Sequence, residues 1–209
     1  TEESLNYTGN NHGGMVEIMG QWYMFYHRHT QGTQFSRQGC AEPIRISKDG
    51  SIEQVEMTSC GLNRGPLPAK GIYSAHIACN LIGPKGTCSL VRKDGLKESE
   101  PYIYEEECGL PEEDRNQYIA NVTDNTIIGF KYFKFDYGTR KIFLCIRGNG
   151  EGRIEIHRNM NNGQIIGEEK ITISTNQWTE IEVMIDMPEG VHGLYIHYYG
   201  EGYLEFNSF

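Results

Sequence analysis

The sequence lacks the patterns that mark several large functional classes. Its cysteines form no Cys-x-x-Cys pair, which argues against a structural zinc site. No apolar run approaches the length of a membrane-spanning helix, so no membrane partner is expected. The net charge of −9 argues against a nucleic-acid partner, because no basic face would match a phosphate backbone.

The cysteines are also too sparse for a disulfide framework, which is denser and typical of smaller secreted domains. We therefore expect free thiols, and a reducing, cytoplasmic compartment is favoured. The chain shows no signal peptide and begins at Thr1 instead of a methionine, which suggests the tail of a longer protein. The cysteines stand singly at Cys40, Cys60, Cys79, Cys88, Cys108 and Cys145.

Glycine and tyrosine are abundant, with 25 and 13 residues, and this mixture is typical of an all-β protein with tight turns. Segments 15–18 and 22–26 predict one hairpin around Met19-Gly20-Gln21. Segments 41–47 and 52–57 predict a second hairpin around the Asp49-Gly50 turn. Four such strands form one propeller blade, over residues 1–60. Residues 61–100 read as a crossing segment packed against both neighbours, with possible strands at 73–81 and 88–92.

Residues 101–209 show a second pattern of regularly spaced strands. In segment 179–186, Ile181, Val183 and Ile185 alternate with polar residues, which predicts one inward face. This regular spacing favours a jelly-roll β-sandwich. Further strands are predicted at 130–136, 141–147, 153–157, 170–174, 193–199 and 203–209. Turns are predicted at 138, 148–150, 161–163, 189–190 and 200–202.

The motifs NNHGGMVEIMGQWYMFYHRHT and FSRQGCAEPIRISKDGSIEQVEMTSCGLNRGPL resemble the end of the five-bladed propeller of glycoside hydrolase family 43. The segment from DRNQYIANVTDNTIIGFKYFKFD to GVHGLYIHYYGEGYLEFNSF is similar to the family 6 carbohydrate-binding-like β-sandwich that often follows it. Together they cover roughly residues 7–68 and 100–209. The resemblance implies an inverting glycosidase that removes xylose or arabinofuranose from plant polysaccharides.

Inversion requires a general acid and a general base roughly 6.5–9.5 Å apart, on opposite sides of the sugar. In the family these carboxylates lie on earlier blades, and none of Glu17, Asp49, Glu53 and Glu56 corresponds to them. We therefore predict that this chain holds no catalytic residue and is inactive alone. A plant oligosaccharide or polysaccharide is the expected ligand of the parent enzyme.

His12 matches the family histidine close to the propeller axis, where it would be a ligand, direct or through water, of a calcium-type ion. A loop histidine that caps a turn is the alternative, since calcium prefers oxygen ligands. Arg37 matches the substrate-contacting arginine, with a surface ion pair as the alternative. His27 and Arg28, in the Tyr-His-Arg motif, are further substrate-binding candidates or a polar strand rim.

In the sandwich, sugar binding needs exposed aromatic rings beside polar side chains. The candidates are Trp178, Tyr199, Tyr203 and Glu201, although Trp178 opens an alternating strand and is also expected in a core or interface. The alternative function is therefore a non-catalytic carbohydrate-binding or structural accessory protein. A lone blade would expose a strand edge, so we expect another chain, the missing propeller part or the sandwich to cover it.

Overall fold

The computed structural model describes residues 12–31, 33, 35–87, 100–106 and 115–209. Within them the protein is all-β, as predicted, with one short 3₁₀ turn and no helix long and apolar enough to span a membrane. The strands are β1 (Gly14–Ile18), β2 (Gln21–His29), β3 (Arg37–Ile44), β4 (Leu67–Pro68), β5 (Asn80–Gly83), β6 (Gly86–Thr87), β7 (Tyr102–Glu105), β8 (Gln117–Val122), β9 (Thr126–Phe135), β10 (Lys141–Arg158), β11 (Ile165–Met184) and β12 (Gly190–Ser208).

The first unit is an antiparallel sheet with the order β1–β2–β3. Its first turn confirms the sequence prediction, because β1 and β2 are joined by Met19 and Gly20 alone. Both residues have positive φ, 50° and 77°, as a two-residue turn that matches strand twist requires. The Asp49 turn is also present: its carboxylate accepts from the amide of Ser51 at 3.0 Å.

The fourth strand expected at 52–57 is wrong. Only a single bridge joins Ile46 to Ile52, and the chain that follows is irregular. Its polar groups are used by the sandwich instead: Glu56 forms an ion pair of 2.7 Å with Lys131, and the amide of Ser59 donates to the Lys131 carbonyl. These bonds tie the end of the segment to β9, and the small sheet ends at β3 within the described residues.

The second unit is a sandwich built on a nine-stranded sheet within the described residues, with β11–β10–β12–β9–β5–β6 as its main path. Strand β12 pairs with β10 along its length, with β9 in its first half and with β8 near its end. Its two halves therefore belong to different parts of the sheet, and one core collects the inward side chains of both. The predicted alternation is confirmed, since Val183 and Ile185 are buried and Ile181 packs against that core.

Two predicted turns in this unit are wrong. Segments 148–150 and 200–202 lie inside the long strands β10 and β12, where Gly150 pairs with Gly202 and Gly152 with Gly200. A Cβ on Gly152 would collide with the carbonyl oxygen of Tyr199, and one on Gly200 with that of Glu151. These glycines serve close backbone approach instead of reversal, so the two strands can bend together.

The segment between the two units contributes to the sandwich sheet. Strand β5 pairs antiparallel with β9, and β4 pairs parallel with it. The strand expected at 73–81 is replaced by the 3₁₀ turn Ala75–Ile77 followed by β5. The possible strand at 88–92 lies outside the described residues.

Of the six cysteines, the described Cys40, Cys60, Cys79 and Cys145 are free thiols, as expected. Cys88 and Cys108 lie outside the described residues. Burial raises the pKa of the Cys79 thiol to about 11, so this group remains protonated near neutral pH.

A buried carboxyl group, that of Glu42 on β3, joins the small sheet to the chain leading into the sandwich. It accepts hydrogen bonds from the amide and the hydroxyl of Thr58, both at 2.6 Å, and from the hydroxyl of Tyr26 at 3.2 Å. Burial raises the pKa of Glu42, although the hydrogen bonds from Thr58 act in the opposite direction. We call this contact between β3 and Thr58 the buried joint. It contains an ionisable group whose removal from water costs free energy.

The first test concerns the glycine crossing, the place where the backbones of β10 and β12 approach closely at the pairs Gly150–Gly202 and Gly152–Gly200. We expect Gly152→Ala to lower the free energy of unfolding by about 2 kcal/mol, because the added methyl group overpacks the β10–β12 contact. Urea denaturation measures the change. The matched control is Gly39→Ala on β3, where a Cβ meets nothing within 4 Å. Equal stability of the two variants would contradict the close-approach role.

The second test concerns Glu42. Because its folded pKa is raised, its neutral form contributes stability below the usual pKa of 4.5, and this is lost as pH rises through the raised value. Glutamine stays neutral, so the stability of Glu42→Gln relative to the natural protein should increase as pH rises above 4.5. Urea denaturation across this range measures the difference. The exposed Glu53→Gln is the control, and a flat difference for both variants would count against the idea.

Candidate functional site

One side of the small sheet collects three histidines and an arginine. His27 and His29 alternate on β2 and therefore point to the same side. The ring of His12 lies 4.8 Å from that of His27, which lies 6.0 Å from that of His29. Arg37 is paired with His29 in the β2–β3 register. The structure thus brings the predicted residues His12, His27 and Arg37 together, and we call this set, with His29, the histidine–arginine face.

Gly13 allows His12 to sit so close to β2. A Cβ at this position would collide with the carbonyl oxygen of Phe25. The glycine therefore lets the start of β1 approach the backbone of β2 directly. This close contact explains the first residue of the Gly-Gly pair that follows His12 in the motif.

The electrostatics of this face favour neutral imidazole beside a permanent cation. His29 is buried, and burial lowers its pKa, with further lowering from Arg37 and His27. Arg37 is exposed, so its guanidinium is accessible from solvent. Such a set can donate hydrogen bonds to sugar hydroxyls, and it supplies no general acid of carboxylate type.

The carboxylates considered in the sequence are used elsewhere or exposed. Asp49 bonds to Ser51 within its turn, and Glu56 bonds to Lys131 and to the hydroxyl of Tyr132. Glu17 and Glu53 are exposed. The absence of a catalytic pair from this chain remains a prediction.

Arg28 lies on the opposite side of β2 and is only 4% exposed. Its Nε donates to the side-chain oxygen of Gln38 at 2.7 Å, and its two terminal nitrogens donate to the carbonyl oxygens of Ala78 and His76. All three nitrogens thus hold the small sheet against the turn before β5. This geometry favours a structural role over the substrate contact that the resemblance implies.

A calcium ion at His12 fits the described residues poorly. Calcium takes six to eight oxygen ligands, whereas His12, whose ring contacts that of His27, belongs to no cluster of three or more His, Cys, Asp or Glu ligand atoms in the described part of the chain. Asn10 and Asn11, which precede His12 and carry side-chain oxygens, lie outside the described residues. A calcium-type ion remains a prediction that needs oxygen ligands from elsewhere.

On the sandwich, sequence reasoning missed most of an aromatic surface. The rings of Tyr102, Tyr104, Tyr118 and Trp178 follow one another across β7, β8 and β11, with centroid distances of 6.4, 5.2 and 5.2 Å. We call these four residues the aromatic row. Tyr102 and Tyr104 alternate in the sequence, which is the local signal that was available.

Arg147 organises the polar part of this surface. Its guanidinium carbon lies 4.1 Å from the centre of the Trp178 ring. Its nitrogens donate to the carboxylates of Glu205 and Glu106, the latter at 3.2 Å, and to the hydroxyl of Tyr118 at 3.0 Å. Tyr118 is buried, whereas the rings of Tyr102, Tyr104 and Trp178 are half-buried. Partly exposed rings beside fixed charges are an arrangement suited to carbohydrate.

The structure separates the predicted sandwich candidates. Trp178 belongs to the aromatic row, whereas Tyr199 lies beside His197 and Arg153. Glu201 is exposed at the glycine crossing of β12, and Tyr203 is 45% exposed two residues further on. Trp178 is therefore the candidate that the structure places in the aromatic row, beside Tyr118 and Arg147.

Comparisons with known proteins agree with this architecture, although no family model matches the chain. It is 44% identical over 209 residues to a xylosidase/arabinosidase of Thermoclostridium stercorarium, covering 100% of this chain and 43% of that protein. The chain thus spans less than half the length of the curated relatives it matches.

Two solved structures show the likeness in fold. A glycoside hydrolase family 43 arabinoxylan arabinofuranohydrolase of Bacillus subtilis, in complex with cellotetraose, matches with a TM-score of 0.60 and 20% identity over 96% of this chain and 40% of that one. The family 6 module CsCBM6-3 of Clostridium stercorarium, in complex with cellobiose, matches with a TM-score of 0.53 and 12% identity over 69% of this chain and 95% of the module. The resemblance in fold to a family 43 protein and to a family 6 β-sandwich module is confirmed.

Proposed function

We propose that this chain is part of a family 43-type glycosidase that acts on xylose- and arabinose-containing plant polysaccharides. In that enzyme it supplies substrate contacts through the histidine–arginine face, while the catalytic carboxylates come from the rest of the protein. The observation that carries the proposal is the convergence of His12, His27 and Arg37, which the resemblance selects, on one side of the small sheet. The 44% identity of the whole 209-residue chain to part of a xylosidase/arabinosidase supports it.

In this proposal the residues of the histidine–arginine face have different roles. Exposed Arg37 would bind sugar hydroxyls, since its planar guanidinium presents several hydrogen-bond donors in a fixed geometry. His27 and the buried His29 would form the floor of the site next to Arg37. Strand β1 is exposed along its whole length. In the complete enzyme a further propeller blade would cover its free edge.

The first experiment compares the hydrolysis of p-nitrophenyl β-xyloside and α-arabinofuranoside by this chain and by a version extended with the residues encoded upstream. Activity in the extended protein alone supports the proposal. Activity in the 209-residue chain would overturn it.

In the extended protein we expect Arg37→Ala to lower kcat/KM by roughly tenfold to a hundredfold, because the sugar loses a charged hydrogen-bond donor. The matched control is Arg45→Ala, another exposed arginine, just beyond the end of β3. Equal activities of the two variants would remove Arg37 from the site.

A second candidate function, carbohydrate binding by the sandwich, is favoured by the aromatic row. A sugar ring would stack on Trp178 and Tyr104, with Glu106 and Glu205 available to accept from its hydroxyls. The solved modules of this fold are described in complex with sugars such as cellobiose. This candidate is independent of the missing catalytic groups.

The chain has two tryptophans, Trp22 and Trp178, which makes the test direct. In Trp22→Phe the remaining fluorescence reports Trp178, and we expect it to change on titration with xylo-oligosaccharide or cello-oligosaccharide. Trp178→Ala should weaken binding about tenfold, through loss of stacking. Trp22→Ala, which alters an exposed ring of the small sheet, should leave binding unchanged. Retained affinity in Trp178→Ala would reject the aromatic row as the binding surface.

A further inference from the structure

A cluster of three ionisable side chains lies on β10 and β12, away from the histidine–arginine face and the aromatic row. Glu155 is directly opposite His197 in the strand register, and His157 is two residues from Glu155 on the same side of β10. The three residues are 5%, 3% and 7% exposed. Buried groups of this kind need partners that satisfy them.

The hydrogen bonds of His157 are incomplete without a cation. Its Nδ1 lies 3.1 Å from the carbonyl oxygen of Gly163, and its Nε2 lies 2.9 Å from a carboxylate oxygen of Glu155. Both oxygens accept and neither donates. Nδ1 must therefore carry the hydrogen toward Gly163, and a positive species, a proton or a metal ion, must lie between Nε2 and Glu155.

His197 offers a second nitrogen at the same place. Its ring stacks on that of His157, with centroids 3.9 Å apart and planes inclined by 7°. Its Nδ1 lies 3.2 Å from the hydroxyl of Tyr199, whereas its buried Nε2 has no hydrogen-bond partner in the described part of the chain. A cation at this place would therefore satisfy a buried nitrogen that is otherwise unpaired among the described residues.

We propose that Glu155, His157 and His197 form a binding site for a divalent transition-metal ion of the Zn²⁺ type. Their ligand atoms lie within 4.8 Å of one another. Zinc ligands stand about 2.0–2.2 Å from the ion. Because the two stacked rings are nearly parallel, zinc binding must turn one imidazole so that both in-plane lone pairs point at the same ion. Two imidazoles and one carboxylate are a donor set that zinc accepts, with a fourth position for water.

The neighbours of the cluster position these ligands. Gly163 and Tyr199 each hold one Nδ1, which directs both Nε2 atoms toward the site. Arg153 donates to the other oxygen of Glu155 at 2.8 Å, which fixes the carboxylate and leaves one oxygen for the ion. The same guanidinium opposes a second positive charge, so the site should bind more weakly than one without it. Because the ligands come from two strands, the ion would clamp β10 to β12.

The test is a calorimetric titration of the chelator-treated 209-residue chain with Zn²⁺. We expect one ion per chain and a zinc-dependent rise in Tm, because the ion binds the folded state. His197→Phe keeps the ring stack and removes the ligand, so zinc affinity should fall at least tenfold. The matched control is His192→Phe, the same change elsewhere on β12.

Three outcomes would overturn the proposal. They are no zinc uptake by the natural chain, uptake unchanged in His197→Phe, or a loss that follows His27→Phe on the small sheet instead. Histidine side-chain NMR of the natural chain needs no variant and guards against a folding failure. Zinc should shift the Nε2 signals of His157 and His197, and unshifted signals would show that a proton alone occupies the position.

Discussion

The buried joint between the small sheet and the sandwich is the constraint on which the candidate glycosidase site depends. A guanidinium and a carboxyl group removed from water are costly unless their hydrogen bonds are complete. Arg28 meets this condition with Gln38 and two backbone carbonyls, and Glu42 meets it with Thr58 and Tyr26. Any rotation of the small sheet would break several of these bonds together. The opposite side of the same strands, which carries the histidine–arginine face, is therefore held in one orientation.

The features that the sequence predicts correctly are those set by local geometry. Met19-Gly20 and Asp49-Gly50 are turns because the backbone conformation there depends on neighbouring residues alone. The alternation that buries Val183 is likewise a local pattern. The same rule already separates His27 from Arg28, since successive strand residues point to opposite sides. The family resemblance joins these two as substrate candidates, whereas strand geometry divides them.

The features that sequence reasoning misses depend on which strands become neighbours. A glycine pair such as Gly200 and Gly202 reads as a turn, yet the same residue type serves where two backbones approach closely. Only the β10–β12 register distinguishes the two uses. Register also brings His157 and His197, forty positions apart along the chain, into a stack, and no local pattern indicates this. Trp178 reaches the tyrosines of the aromatic row in the same way, through the order of four adjacent strands.

The small sheet rests on the strands that carry the aromatic row, and this links the two candidate surfaces mechanically. Gln31 donates from its amide to the carbonyl of Ile103 at 2.8 Å and from its side chain to that of Glu105 at 2.7 Å. Gln38 reaches the side chain of Gln117, next to Tyr118, at 3.0 Å. These contacts are hydrogen bonds of main-chain and side-chain amide groups at the edge of β7 and β8. They fix the small sheet more firmly than a flexible linker would. If the proposed function holds, a polysaccharide bound on the sandwich would meet the histidine–arginine face at a fixed angle, which would lower the entropic cost of placing it there.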